Sequence, residues 1–145
     1  KDQFELPYDP GALLAEALDA NGKISSKYSL SSANAEIVWH VAAEKKVLKA
    51  NGKDLCYIPI EFSDADGNLK PYIEQRVEIE VKGSATLAGF GSALCKTDEV
   101  FYKNYHDSYR GRCLAVIRAG KIPGKTVINV KSAGVKPVSL EVEVV

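Results

Sequence analysis

Val138-Ser139-Leu140-Glu141-Val142-Glu143-Val144 places an aliphatic side chain at every second position and a polar one between. Successive side chains of an extended strand point to opposite faces, so this segment has one apolar and one wet face. Val77-Glu78-Ile79-Glu80-Val81 repeats the pattern, and residues 55–62 alternate as well. Residues 37–41 form a short apolar run, and residues 113–118 and 126–130 are further β-rich runs. A period of two, not 3.6, governs the chain. Turn signals separate the runs: Asn21-Gly22, Asn51-Gly52, Asp66-Gly67-Asn68, Pro123-Gly124 and Ala133-Gly134. Each offers the positive or preset φ that a tight turn demands. Short strands punctuated every 8–12 residues or so predict an antiparallel sandwich, not a parallel sheet.

Residues 11–18 (GALLAEAL) are good helix formers, but a helix of that length is marginal alone. The Asn21-Gly22 that follows, flanked by Leu18 and Ile24, favours a β-hairpin. Ser31-Ser32-Ala33-Asn34 is a small polar segment without periodicity, and it marks a boundary. Residues 34–145 then hold seven or so strand candidates, the usual content of an immunoglobulin-like sandwich. Residues 1–33 hold one hairpin, too little to be stable by itself. They read as the closing strands of a preceding domain. The open edges of such a hairpin invite pairing, so a dimer through exposed strand edges is a further expectation.

The 145 residues suit one domain, or one domain with part of another. Nineteen basic side chains balance nineteen acidic ones, which argues against a nucleic-acid partner, since such binders carry a basic surplus. No apolar run approaches the roughly 20 residues that span a bilayer, so no membrane partner is expected. Lys1-Asp2-Gln3 opens no charged region leading into an apolar stretch, so no signal peptide is expected. The chain contains no Met and is read as a piece of a longer product. Its compartment stays open between cytoplasmic, periplasmic and secreted.

Three Cys leave at least one thiol unpaired in a monomer. Cys56 shares parity with Ile58, Ile60 and Phe62, and Cys113 with Ala115 and Ile117, so both are expected in the core. Cys95 lies in a polar, looped stretch. No C-x-x-C spacing occurs and only two His are present, so no metal site is expected. Asp64-Ala65-Asp66-Gly67-Asn68 opens like a calcium loop. Leu69 and Gln75 stand where that loop needs Gly and Glu, so the segment reads as a hairpin turn with solvated acids. Residues 83–91 (GSATLAGFG) are glycine-rich but lack the lysine and the helix of a phosphate cradle.

Nucleophilic catalysis needs a Ser or Cys with a His and an orienting acid. His40 sits beside Trp39 in an apolar run, where a structural role is expected, and neither His40 nor His106 lies near a nucleophile-elbow motif. No catalytic residue and no cofactor is assigned. Residues 100–110 (VFYKNYHDSYR) gather three Tyr, a Phe, a Lys and an Arg. Aromatics stack on sugar faces, and Tyr and Arg favour interfaces. Two readings stand: a long loop whose rings cover one end of the sandwich, or a binding surface built on Tyr102, Tyr105, His106, Tyr109 and Arg110. Within the second, a domain interface is favoured over a carbohydrate site.

Tyr8-Asp9-Pro10-Gly11-Ala12-Leu13 with Asp19-Ala20-Asn21-Gly22-Lys23 resembles the end of an immunoglobulin-like domain in glycoside hydrolase family 2 β-galactosidases. Residues 48–55 (LKANGKDL), the Asp64–Asn68 turn, residues 111–120 (GRCLAVIRAG) and Pro123-Gly124 resemble the accessory domain that follows it. The order and approximate spacing of these segments are those of the family. After Leu87-Ala88-Gly89 the family tends to carry a Gly-Asn-Gly-type turn, where this chain has Phe90-Gly91-Ser92-Ala93.

The resemblance implies an all-β, immunoglobulin-like sandwich of the invasin or bacterial type, preceded by a partial hairpin. It also implies a bacterial parent that hydrolyses β-galactosides with retention, through two Glu on a (β/α)₈ barrel. Such a barrel takes about 200 residues or more, and no Glu here lies in a matching motif. The expected role is a non-catalytic accessory domain partnered by the catalytic and other domains of the same polypeptide. The alternatives are a weak carbohydrate-binding module using the tyrosine loop with Trp39, and an adhesin-type repeat.

Overall fold

The computed structural model describes residues 3–145; Lys1 and Asp2, on which part of the N-terminal reading rests, lie outside the described residues. Eleven strands follow in order: β1 (Ala12–Leu18), β2 (Ile24–Ser31), β3 (Val38–Val41), β4 (Val47–Leu48), β5 (Leu55–Ser63), β6 (Arg76–Gly83), β7 (Ala85–Gly91), β8 (Tyr105–Asp107), β9 (Arg112–Ala119), β10 (Gly124–Ser132) and β11 (Val135–Val144). Among the described residues there is no helix.

β1 and β2 form a two-stranded antiparallel hairpin, closed by Asp19, whose carboxylate accepts the N–H groups of Asn21 and Lys23. Residues 11–18 thus extend despite their helical propensity, because tertiary pairing with β2 supplies the backbone partners a lone helix turn would lack. Leu13, Ala15 and Ala17 pair with Leu30, Tyr28 and Ser26 on one side of the hairpin. Leu14 and Glu16 pair with Ser29 and Lys27 on the other, where Lys27 and Glu16 form an ion pair at 2.6 Å. Every residue of both strands is exposed.

The remaining strands build an immunoglobulin-like sandwich. One sheet has the order β4-β11-β10-β6-β8 and the other β3-β5-β9-β7. All pairs are antiparallel except β4 with β11, which runs parallel. Its first edge is therefore split: β3 pairs with β5 in one sheet, and a few residues later β4 joins β11 in the other. The alternating residues fill the space between sheets: Cys56, Ile58, Ile60 and Phe62 from β5 meet Val77 and Ile79, Ile128 and Val130, and Val142 and Val144. Cys56 and Cys113 are buried and Cys95 exposed, all as free thiols. Trp39 packs on Phe62 with ring centroids 4.6 Å apart.

Two segments differ from the sequence reading. The glycine-rich residues 83–91 are largely strand β7, and the aromatic residues 100–110 are not all loop, since Tyr105–Asp107 adds to the sheet beside β6. Asp64 is also no solvated acid. It is 1% exposed, and its carboxylate accepts the N–H groups of Asn34, Asp66 and Asn68 and the side-chain amide of Asn68. Burial pushes its carboxyl up, but these donors outweigh it and hold the group at about 2.

Candidate functional site

The aromatic segment is organised around His106. Its imidazole is fully buried, lies parallel to Phe101 with centroids 5.7 Å apart, and meets Phe90 edge-on at 6.4 Å. Nδ1 stands 3.0 Å from Glu99 Oε2 and 2.9 Å from the Asp107 carbonyl oxygen. Glu99 also accepts the Asp107 N–H at 3.0 Å and pairs with Arg76 at 3.1 Å. Arg76 donates to Asp107 at 2.6 Å, and that bond holds the Asp107 carboxyl below its ordinary value. The Arg76 guanidinium lies 4.8 Å from the centre of the Tyr105 ring, while Lys103 Nζ donates to the Tyr105 hydroxyl at 2.7 Å.

His106 is the buried centre of this network, while the ion pairs of half-exposed Arg76 and Asp107 with one another and with Glu99 hold β6 against β8. Burial, reinforced by the charges of Glu99 and Asp107, pushes Cys113 up to about 12, so it is a thiol at neutral pH and no nucleophile.

The structure does not bring the five sequence-derived residues onto one surface. His106 is sealed in the interior, where burial between Phe90 and Phe101 denies it contact with a ligand. Tyr102 is 80% exposed, and Tyr105 is half-buried beneath two cations. Tyr109 and Arg110 belong to the turn into β9, where Tyr109 and Arg112 exchange backbone hydrogen bonds. Arg110 (φ 50°) and Gly111 (φ 74°) are its two central residues, both left-handed as a two-residue hairpin turn of this kind requires.

What the network positions is a groove that the sequence reading missed. It lies on the outer face of the β3-β5-β9-β7 sheet, has a volume of about 510 Å³, and is lined by Pro59, Leu114, Val116, Gly89 and Gly91, with Phe101 at its rim. Pairing aligns these residues in rows: Tyr57, Val116 and Gly89 in one, Pro59, Leu114 and Gly91 in the next. The third row is Glu61 and Arg112, an ion pair at 2.7 Å. A signal was present, because the run Cys113-Leu114-Ala115-Val116-Ile117 is apolar at both parities and so leaves apolar side chains facing outward. A second, larger depression of about 860 Å³ lies between the hairpin and residues 69–72, with Tyr8 and Tyr72 across it.

The family model for the glycoside hydrolase family 2 C-terminal domain 5 matches residues 40–141. The chain belongs to that family. As a domain-5 chain it is 27% identical over 139 residues to the β-galactosidase BoGH2A of Bacteroides ovatus, covering 96% of this chain and 16% of that protein. A glycosyl hydrolase family 2 member from Bacteroides cellulosilyticus superposes with a TM-score of 0.91 at 28% identity, over 97% of this chain and 18% of that one. The D00-D0 domain of intimin shares the fold alone, with a TM-score of 0.53 at 19% identity over 94% of this chain and 66% of that one. The domain-5 chain thus spans about a sixth of the length of the glycosidases it matches.

Proposed function

We propose that this domain-5 chain is a non-catalytic accessory part of a β-galactosidase-like enzyme, packing on or spacing its catalytic region. The observation that carries the reading is the match along 96% of the chain to a β-galactosidase of which it covers only 16%. The chemistry of the site supports it, since the acidic side chains around His106 are committed to ion pairs and backbone donors.

Residues 1–33 are proposed to supply closing strands to a preceding immunoglobulin-like domain. The hairpin's apolar side, with Leu13, Leu30, Ala15 and Tyr28, is bare, and burying it is worth about 25 cal/mol per Å². The family model takes up at residue 40, beyond this hairpin, which supports the same division. On this reading the 860 Å³ depression beside Tyr8 and Leu13 is filled by the rest of that preceding domain.

The test is hydrolysis of an aryl β-galactoside, assayed with the chain alone and with the polypeptide that carries it. Turnover by the polypeptide and none by the chain is the expected result. Turnover by the chain, or a polypeptide that cleaves no β-galactoside, overturns the reading.

A further inference from the structure

The two outer faces of the sandwich differ in kind. On the β4-β11-β10-β6-β8 sheet the outward positions, Val127 and Val47 apart, are mostly charged or polar and cross-linked: Lys82 with Glu80, Lys131 with Glu78, Lys125 with Glu141, and Asn129 with Glu80 and Ser139. That face is finished, as a solvated antiparallel sheet should be. On the β3-β5-β9-β7 sheet the outward rows are Tyr57-Val116-Gly89 and Pro59-Leu114-Gly91, with Tyr57 44% and Leu114 42% exposed. These two adjoining apolar rows lie between Arg118 and Thr86 on one side and Glu61 and Arg112 on the other, an apolar strip within a polar rim that suits a contact surface.

The face is also pre-formed. Gly89 and Gly91 remove side chains from the edge strand β7, and the space they vacate is the groove. The Phe101 ring closes one side. It lies so near Gly91 that a Cβ there would stand 2.3 Å from the ring, while the parallel His106 imidazole backs it. The Phe90 N–H donates to the Phe101 carbonyl at 2.7 Å, and the Glu99–Arg76–Asp107 ion pairs tie down the surrounding segment.

We infer that this face seats an apolar segment from another part of the same polypeptide. Three observations select that occupant. The groove's charges, Glu61 and Arg112, neutralise each other at 2.7 Å, so it asks for no charged or phosphorylated partner. Its volume of about 510 Å³ takes only a few side chains, and a contact that small holds best where a tether raises the occupant's effective concentration. Glycosidases that match this chain carry more than four-fifths of their length outside it, which is the tethered material. The inference rests on the accessory-domain reading and gives it a surface.

The experiment is hydroxyl-radical footprinting of the polypeptide that carries the chain, each residue normalised to its rate after denaturation. Ile122, 76% exposed and outside the groove lining, is the internal reference. Tyr57, Phe101 and Leu114 are expected to label at least about fivefold more slowly than Ile122, as residues at an interface core do, independently of protein concentration. Leu114→Arg is expected to restore labelling of Tyr57 and Phe101, while Thr86→Arg, on the same face beyond the groove, is expected to leave them protected. Labelling as fast as Ile122 overturns the inference. So does protection that fades on dilution, which would mean a second copy, and protection that needs added galacto-oligosaccharide, which would mean a sugar site. Aryl-galactoside turnover in the same sample is scored separately: its absence would overturn the accessory-enzyme reading while leaving protection of the face legible.

Discussion

The Asp64 carboxylate accepts the backbone N–H of Asn34 at 2.9 Å, tying the start of the sandwich to a turn thirty residues downstream. The Lys70 ammonium, fully buried, donates to the carbonyl of the same Asn34 and to the Tyr72 hydroxyl at 3.2 Å. One residue between hairpin and sandwich, Asn34, is thereby gripped through both its N–H and its C=O, that is, through the two peptide units that flank it. The segment that composition alone marks as a boundary is an anchored junction.

That anchor makes stability depend on acid in a defined window. The Asp64 carboxyl lies at about 2 in the folded chain against an ordinary 3.8, so between those values the unfolded chain binds the extra proton. Its stabilising contribution is complete above the unfolded value and is lost as pH falls through about 2. Urea unfolding at a series of pH values should show stability dropping across this window, and Asp64→Asn should flatten that part of the profile. Lys70→Met should loosen the same junction, and its effect should not add to that of Asp64→Asn, because both side chains hold one residue, Asn34.

Two glycines separate conformational need from space. Gly67 (φ 84°) and Gly111 (φ 74°) are both left-handed, but a Cβ on Gly67 meets nothing, whereas one on Gly111 would stand 2.4 Å from the Lys70 carbonyl oxygen. Gly67→Ala should therefore cost only the left-handed strain, about 1 kcal/mol. Gly111→Ala must also displace backbone and should cost about 3 kcal/mol or more, read as a fall in denaturation midpoint at constant slope.

The strands whose partners demand one buried face were legible, because burial writes a period of two into the sequence: residues 55–62, 77–81 and 138–144 fall within β5, β6 and β11. Two-residue β4 and three-residue β8 were not, since such lengths carry no period and form only where a neighbour offers an edge. His106 drew notice as a titratable group among aromatics, but its burial comes from Phe90 and Phe101, residues whose approach no local pattern encodes. The groove escaped for a related reason. It is made by absent side chains at Gly89 and Gly91, and by a row alignment across three strands that exists only after pairing.

The thiols give a check on the core. Cys95 is exposed, whereas Cys56 is fully buried and Cys113 is both buried and pushed up to about 12. A disulfide reagent at pH 8 should titrate one thiol rapidly in the folded chain and three in denaturant, since only an accessible thiolate attacks. Rapid reaction of two or more thiols under native conditions would mean that β5 or β9 does not pack as described.

Gly91→Ala joins the groove to the His106 cluster. The Gly91 backbone is not left-handed, so the new methyl adds no conformational strain, but it would lie 2.3 Å from the Phe101 ring. The ring is 56% exposed and can swing outward, at the expense of its parallel contact with His106. Loss of one aromatic contact without a collapsed core should cost about 1 kcal/mol, well below the effect of Gly111→Ala. The structural signature is sharper than the energetic one. His106 ring protons, shielded by Phe101 in the parent chain, should shift downfield in the variant, and solvent should gain access to the Glu99–His106 pair. Unchanged His106 resonances with intact stability would show that Phe101 does not wall the groove.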